Sequence, residues 1–377
     1  MKVLTVVGTR PEIIRLSRVI SRLDDEVDHR LVHTGQNWDP QLSQVFFDEL
    51  AVPKPDHWLN VDTSSLGSVL GGVVSGIEPV LHAERPDALL VLGDTNSSIA
   101  ALMAKRLGIP VFRMEAGNRC FDENVPEETN RRMVDHISDF NLCYTEHARR
   151  NLLAEGLPAR QIFVTGSPMA EVLAAYDDQI AASSVLERLE LTPGDYYVVS
   201  LHREENVDDP ARLQVLLRAL ADLAEEPRRV VVSTHPRLAR RLDGAGTESP
   251  STVQFAEPFG FFDYSALQRS ARCVLSDSGT ISEESAIAGF PAVTIRDALE
   301  RPEALDAGSM VLTGVDAASI RRCVDLVVRQ WAEGVRPAVP QDYQATDCSV
   351  RVSRLIAGLT AVHPRWLGIR DKPWRFA

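Results

Sequence analysis

The sequence predicts an α/β protein of two doubly wound, Rossmann-like domains, and three observations lead there. Short runs rich in Val, Leu and Ile alternate with amphipathic stretches of helical period. That rhythm gives way to a polar helical region near residues 170–190 and then restarts. Small, acidic and basic residues follow directly on the apolar runs, where an open parallel sheet places its ligand crevice. A chain of 377 residues is long enough for two cores.

In chain order, Val3–Val7, Ala88–Leu92, Val111–Arg113 and Asn141–Tyr144 are expected to be buried strands of a first sheet, since they are short and largely apolar. Helices are expected between them at Pro11–Leu23, Ser65–His82, Ser97–Leu107, Glu127–Ile137 and His147–Leu153. The second sheet is expected from Tyr196–Leu201, Arg229–Ser233, Cys273–Leu275 and Ala292–Ile295, with helices such as Ala211–Leu223 and Ile281–Ala288 between. Pro193-Gly194 marks the turn at its entrance. Val350–Leu359 is expected to be helical, followed by a packed loop containing Trp and Pro. The expected domains are residues 1–170 and 171–377, facing one another across a cleft, with the last helix able to pack back on the first domain.

Composition narrows the function classes. The net charge of −13 argues against a nucleic-acid surface, which needs clustered Lys and Arg, but leaves room for a small anion held by a few cations. No stretch approaches the length of a membrane span without charges, so none is expected. The opening residues read as a first strand and not as a signal peptide. The five cysteines, at 120, 143, 273, 323 and 348, form no Cys-x-x-Cys pair, which suggests a reduced, cytoplasmic chain without a zinc site.

The chemistry is sought at the strand ends. Gly8-Thr9-Arg10-Pro11-Glu12 follows the first strand. Pro11 suits a first helical turn, a helix N-terminus attracts anions, and Arg10 adds a charged fork. A plain strand–helix turn with a surface arginine explains the same residues equally well. Gly-x-Gly-x-x-Gly, the dinucleotide fingerprint, is absent there. Asp94, in Gly93–Ser98, is a carboxylate at a helix start, where an ordinary N-cap is the simpler reading. Glu115 follows directly on the third strand, and Glu127 opens a helix behind Pro126, where acids complement the macrodipole and Glu127–Arg131 has ion-pair spacing. Three carboxylates at successive strand ends are harder to explain by capping, because crowded carboxylates can supply both a base and an acid.

The second half offers a parallel set. His202-Arg203 ends one strand and Thr234-His235-Pro236-Arg237 repeats the theme after the next. Both suit phosphate recognition, although a histidine there can also be a satisfied packing residue. Ser278, Gly279 and Thr280 form a small-residue turn that exposes backbone N–H groups to a phosphate, or an ordinary helix start. Glu284, one turn further, can accept hydrogen bonds from ribose hydroxyls. Phe259 and Tyr264 fall in an expected loop, Pro258–Tyr264, able to wall a uracil ring or to plug a core.

Taken in order, Gly8–Glu12, Gly93–Ser97, Met114–Arg119, Pro126–Arg131, Ser200–Asn206, Ser276–Ser285 and Glu300–Glu303 form a set that resembles the non-hydrolysing UDP-N-acetylglucosamine 2-epimerases. The resemblance implies a GT-B fold with the C-terminal domain holding UDP, and a homodimer. The implied reaction is anti elimination of UDP across C1–C2 to a glycal, then re-addition with the proton on the other face. By the same resemblance Asp94, Glu115 and Glu127 are the acid/base carboxylates and His202 contacts the departing diphosphate. Arg10, Arg15, Arg203, His235, Phe259, Tyr264, Ser278, Gly279, Thr280, Glu284 and Arg301 bind substrate or UDP. No redox cofactor is needed and no metal is implied.

The chain departs from the family at several points. Arg15 stands where many members have Lys. Residues 36–40 replace a Gln-His-Arg-Glu-Met run, and Glu204 replaces a second Arg. Both features build the allosteric UDP-sugar site of some bacterial members, so that pattern is incomplete here. Asn118–Asp122, His202–Asn206 and Phe259–Tyr264 are closer to the branch acting on UDP-2-acetamido-2,6-dideoxy sugars, and residues 361–377 match neither branch. The expected activity is interconversion of UDP-N-acetylglucosamine and UDP-N-acetylmannosamine, with the 6-deoxy substrate as the alternative. A hydrolysing epimerase, marked by UDP release, and a GT-B glycosyltransferase, marked by dependence on an acceptor, are the other classes.

Overall fold

A computed structural model describes residues 1–36, 46–224, 228–244 and 253–369, so the departure at residues 37–40 and the tail beyond 369 lie outside the described residues. Contacts divide the chain into two compact units, Met1–Ala175 with Gln341–Ala377, and Tyr176–Pro340.

In the first unit, β1 (Lys2–Val7), β2 (Asp28–His33), β3 (His57–Trp58), β4 (Ala88–Leu92), β5 (Val111–Met114), β6 (Phe140–Cys143) and β7 (Ile162–Val164) form a parallel sheet in the order β3-β2-β1-β4-β5-β6-β7. The four expected strands are present as β1, β4, β5 and β6. β2 escaped notice because Asp28, His29, Arg30 and His33 mask its apolar character. His29 is buried there with Nδ1 donating to the Asp24 carboxylate at 2.5 Å and Nε2 hydrogen-bonded to the Thr5 hydroxyl at 2.8 Å. The order reverses between β1 and β4, so the turns after these two strands lie side by side at the topological switch point.

Helix Leu66–Glu84 starts at Ser65, whose hydroxyl accepts from the Ser68 amide at 3.1 Å. It buries Val69, Val73, Ile77 and Leu81, one residue per turn, in the core with Leu4, Val6, Leu89 and Val91. By length and composition it also meets the requirement for crossing a membrane, although Glu78 interrupts its apolar run, so the expectation that no uncharged stretch reaches that length stands. Val69, Val73, Ile77 and Leu81 seal the sheet, and the partly buried Leu70, Val74 and Val80 pack against the same core.

The last helix runs Cys348–Leu367, continuing past the expected end at Leu359 and through Pro364 to a left-handed Gly368. The expected loop over residues 360–367 is therefore helix. It lies on helix Arg10–Glu26, where Arg22 Nε donates to Ser349 Oγ at 2.9 Å and Ser353 Oγ meets Glu26. His363 Nε2 sits 3.0 Å from the buried Asp139. These polar contacts bind the returning chain to the first unit.

In the second unit, β8 (Tyr196–Leu201), β9 (Arg229–Thr234), β10 (Val253–Ala256), β11 (Cys273–Ser276), β12 (Ala292–Thr294) and β13 (Val311–Leu312) form a parallel sheet in the order β10-β9-β8-β11-β12-β13. Here the switch point lies between β8 and β11, with Ser200 opposite Ser276. The core fills one face with Val199, Leu216, Leu220, Val232 and Leu275. One local expectation is corrected. Tyr264 is not in a loop, because a helix spans Phe261–Ser270 from its N-cap at Gly260.

Candidate active site

Each switch point carries a cluster of charged side chains, and each cluster is built within its own unit. In the first, Asp94 follows β4 after the single residue Gly93. Asp94 is not at the N-cap of the turn that follows, a position that Thr95 holds. It takes the Arg131 guanidinium instead, with Nε and Nη2 each 2.7 Å from Oδ2. Arg131 is almost fully buried and also reaches Glu128 at 3.2 Å. Asn130 Nδ2 donates to the Asp94 carbonyl at 2.9 Å, so helix Pro126–Ile137 fixes both the backbone and the side chain of Asp94.

Glu115, the residue after β5, adopts a left-handed backbone with φ 59°. A non-glycine residue there is held by its surroundings against local strain. Gly93 also has positive φ, and its missing side chain leaves space that Glu115 Oε2 approaches to 3.3 Å of an ideal Cβ. Oε2 pairs with the buried Arg15 and Oε1 accepts from Asn118 at 3.2 Å. Behind this turn, Asp135 is wholly buried and binds Arg113, Arg119 and the Gly117 amide. Burial and then the neighbouring Arg119 pull the Arg113 guanidinium down to about 9, against the charges of Asp94 and Glu115. Arg113 therefore lies within electrostatic reach of both carboxylates. Glu127 stands half-buried in the first helical turn, one residue before Glu128. Arg10 lies with its guanidinium 5.6 Å from the Phe46 ring centroid at the start of its helix.

The second cluster centres on Asp277, which follows β11 and is wholly buried. It accepts the amides of His202 and Arg203 at 3.1 Å, Asn206 Nδ2 at 3.2 Å, and His202 Nδ1 at 2.8 Å. Burial raises this carboxyl, but the His202 charge and these donors outweigh it and hold the group at about 2. His202 is thereby fixed through Nδ1, leaving Nε2 as the ring nitrogen for a ligand. The His235 ring lies 5.9 Å from it, centroid to centroid, with Nδ1 accepting from the Arg237 amide at 3.2 Å.

Beside them, Ser278 Oγ and Thr280 Oγ1 are 2.8 Å apart across Gly279. A Cβ on Gly279 would stand 2.6 Å from Glu300 Oε1, so only glycine fits while Glu300 holds Arg203 at 3.0 Å and Arg296 at 2.7 Å. Arg301 is buried; it donates to the Gly279 carbonyl at 2.8 Å and pairs with Glu283 at 3.1 Å. These two contacts tie the Gly279 turn to the helix that follows it. Glu284 accepts from Gln268 at 2.7 Å. Burial, and then the Glu284 charge, push the Tyr264 hydroxyl up. Phe259 is half-buried just before the Gly260 cap.

Sequence reading missed Arg131 as the partner of Asp94, Asp277 as the anchor of His202, and Glu300 as the brace behind Gly279. All three lie inside quoted motifs, but Arg131 meets Asp94 across 37 residues, Asp277 meets His202 across 75 and Glu300 meets Arg203 across 97, beyond any local pattern.

Comparison with known proteins agrees in kind. The UDP-N-acetylglucosamine 2-epimerase family profile matches residues 21–357. The structure of UDP-N-acetylglucosamine 2-epimerase from Rickettsia bellii superposes with a TM-score of 0.90 at 42% identity, covering 98% of this chain and 100% of the other. The Methanocaldococcus jannaschii UDP-GlcNAc 2-epimerase, in complex with UDP-GlcNAc and UDP, gives a TM-score of 0.88 at 33% identity over 95% and 99% of the two chains. A Pseudomonas aeruginosa UDP-2,3-diacetamido-2,3-dideoxy-D-glucuronate 2-epimerase is 34% identical over 95% of this chain and 100% of its own.

Proposed function

The chain belongs to the UDP-N-acetylglucosamine 2-epimerase family of isomerases, with the two Rossmann-like units of the GT-B class, and from that premise we propose that it interconverts UDP-N-acetylglucosamine and UDP-N-acetylmannosamine. The observation that carries the reading is the pair of carboxylates at the first switch point, Asp94 held by Arg131 and Glu115 held by Arg15.

A C2 proton has no adjacent carbonyl to acidify it, so its removal must coincide with loss of a leaving group. One carboxylate takes the proton, the C2–H electrons form the C1=C2 bond, and the C1–O electrons depart with UDP. Return of UDP to C1, with a proton delivered to C2 from the opposite face, gives the epimer. We assign the proton transfers to Asp94, Glu115 and Glu127. The departing diphosphate is assigned to His202 and the Ser278–Thr280 turn, with Arg10, Arg15, Arg203, His235 and Arg301 as further substrate or UDP contacts. Phe259, Tyr264 and Glu284 are assigned to the nucleoside. Donors fixed before the reaction stabilise the forming dianion without reorganisation.

The test is turnover in D₂O without any acceptor, using UDP-N-acetylglucosamine, its 6-deoxy analogue and UDP-2,3-diacetamido-2,3-dideoxyglucuronate. Solvent deuterium is expected at C2 with no net UDP release, fastest with the first substrate. Absence of exchange with all three excludes the reading, and stoichiometric UDP release marks a hydrolase instead. A cytoplasmic location is proposed with it, in keeping with five free thiols.

A homodimer is also proposed. Leu66, Leu102 and Met133 are exposed on three helices of the first unit that pack against one another. Light scattering is expected to give twice the chain mass, and Leu66→Glu with Leu102→Glu to halve it; a monomeric wild type rejects the dimer.

A further inference from the structure

Glu12 is almost fully buried in the first turn of helix Arg10–Glu26, and Thr9-x-x-Glu12 has the spacing of a capping box. The contacts are not those of a capping box. Thr9 makes no side-chain cap bond; its hydroxyl donates to Glu12 Oε2 at 2.8 Å, and the same oxygen takes the Gly8 amide at 2.9 Å. The other oxygen crosses to a different strand end, accepting Thr95 Oγ1 at 2.9 Å and the Ser97 hydroxyl. Those two hydroxyls lie 2.6 Å apart.

One buried carboxylate thus joins the turn that carries Arg10 to the turn that carries Asp94. The four donors are all neutral, and burial pushes the carboxyl up despite them. A helix cap alone would not need the second oxygen. Gly8 makes the fit tight, because a Cβ there would stand 2.3 Å from Thr34 Oγ1.

We propose that Glu12 is a positioning residue for the epimerisation, setting the register of the Asp94 turn against the Arg10 turn. The inference rests on the function proposed above. Glu12→Ala, Glu12→Gln, Thr95→Val and Ser97→Ala are compared for kcat, KM, UDP affinity by calorimetry, and crystal structure. Glu12→Ala is expected to lower kcat about thirtyfold or more while UDP affinity stays within about twofold, because positioning errors act on the chemical step. Glu12→Gln recovers most of that loss. Its amide oxygen still meets the fixed Gly8 N–H, and the Thr95 and Ser97 hydroxyls can rotate to accept from its NH₂.

Wild-type kcat in Glu12→Ala overturns the inference, and so does a Glu12→Gln enzyme as damaged as Glu12→Ala. If Glu12→Ala does not fold, Thr95→Val and Ser97→Ala decide: unchanged kcat in both rejects it, and a fall in kcat at constant UDP affinity supports it. A wild type that turns over no UDP-sugar refutes the function and leaves a separate readout. The Asp94 turn must then be displaced in the crystal structures of the variants, and an unmoved turn rejects the positioning role.

Discussion

Asp94→Asn and Glu115→Gln are each expected to lower kcat by roughly a thousandfold or more while UDP still binds, since each removes a proton-accepting charge and leaves the second unit untouched. The substitutions are nearly isosteric, so the loss falls on chemistry and not on shape. They also differ from one another in stability. Asp94 is 28% exposed and Arg131 keeps Glu128 as a second partner. Glu115 is 11% exposed at the side chain, and its loss deprives Arg15, 7% exposed, of a buried counter-charge. Glu115→Gln is therefore expected to destabilise the fold by about 3 kcal/mol, and Asp94→Asn by less. Single-turnover kinetics, UDP calorimetry and thermal unfolding measure the three quantities. Retained turnover in both variants would remove these residues from the mechanism.

Asp277→Asn is expected to have the second largest effect. Asp277 serves four donors with two oxygens, and an amide must turn its NH₂ toward one or more of them. The expected cost is about 1–3 kcal/mol of stability from donors left facing a donor. An amide can also accept a different His202 tautomer, so kcat is expected to fall about a hundredfold or more. The pH dependence has a definite sign. Asp277 is held at about 2 in the folded chain, below its ordinary 3.8, so its stabilisation is complete above the ordinary value and disappears as pH falls through about 2. Acid unfolding curves of wild type and Asp277→Asn are expected to differ at pH 5 and to converge toward pH 2. A constant difference across that range would show that the carboxylate charge does not matter.

Much of the candidate site was legible beforehand because strand-end residues announce themselves. An apolar run followed by Gly-Asp or Met-Glu marks both a sheet end and a charged side chain left at it. The order of such segments also carried the family resemblance, which the family match over residues 21–357 upholds. Less visible were strands whose polar residues are satisfied by partners elsewhere. His29 in β2 is one case, hydrogen-bonded to Asp24 and Thr5. Tyr264 was misread because the aromatic cluster looked like a loop wall, whereas Gly260 caps a helix before Phe261.

The sequence by itself determined the α/β class, the restart of the fold in the second half, and the identity of the residues at each strand end. These follow from short-range physics: hydrophobic period, turn chemistry and helix-start residues all act within a few positions. Only the tertiary structure decided what each charge faces. Asp94 could have capped a helix, and Arg131 could have paired along its own helix with Glu127 alone. The folded sheet brings β4 beside β5 and lays helix Pro126–Ile137 against the turn, and so joins Asp94 to Arg131. Buried charges must find partners wherever the chain supplies them, and that search runs across sequence distances that no local pattern records.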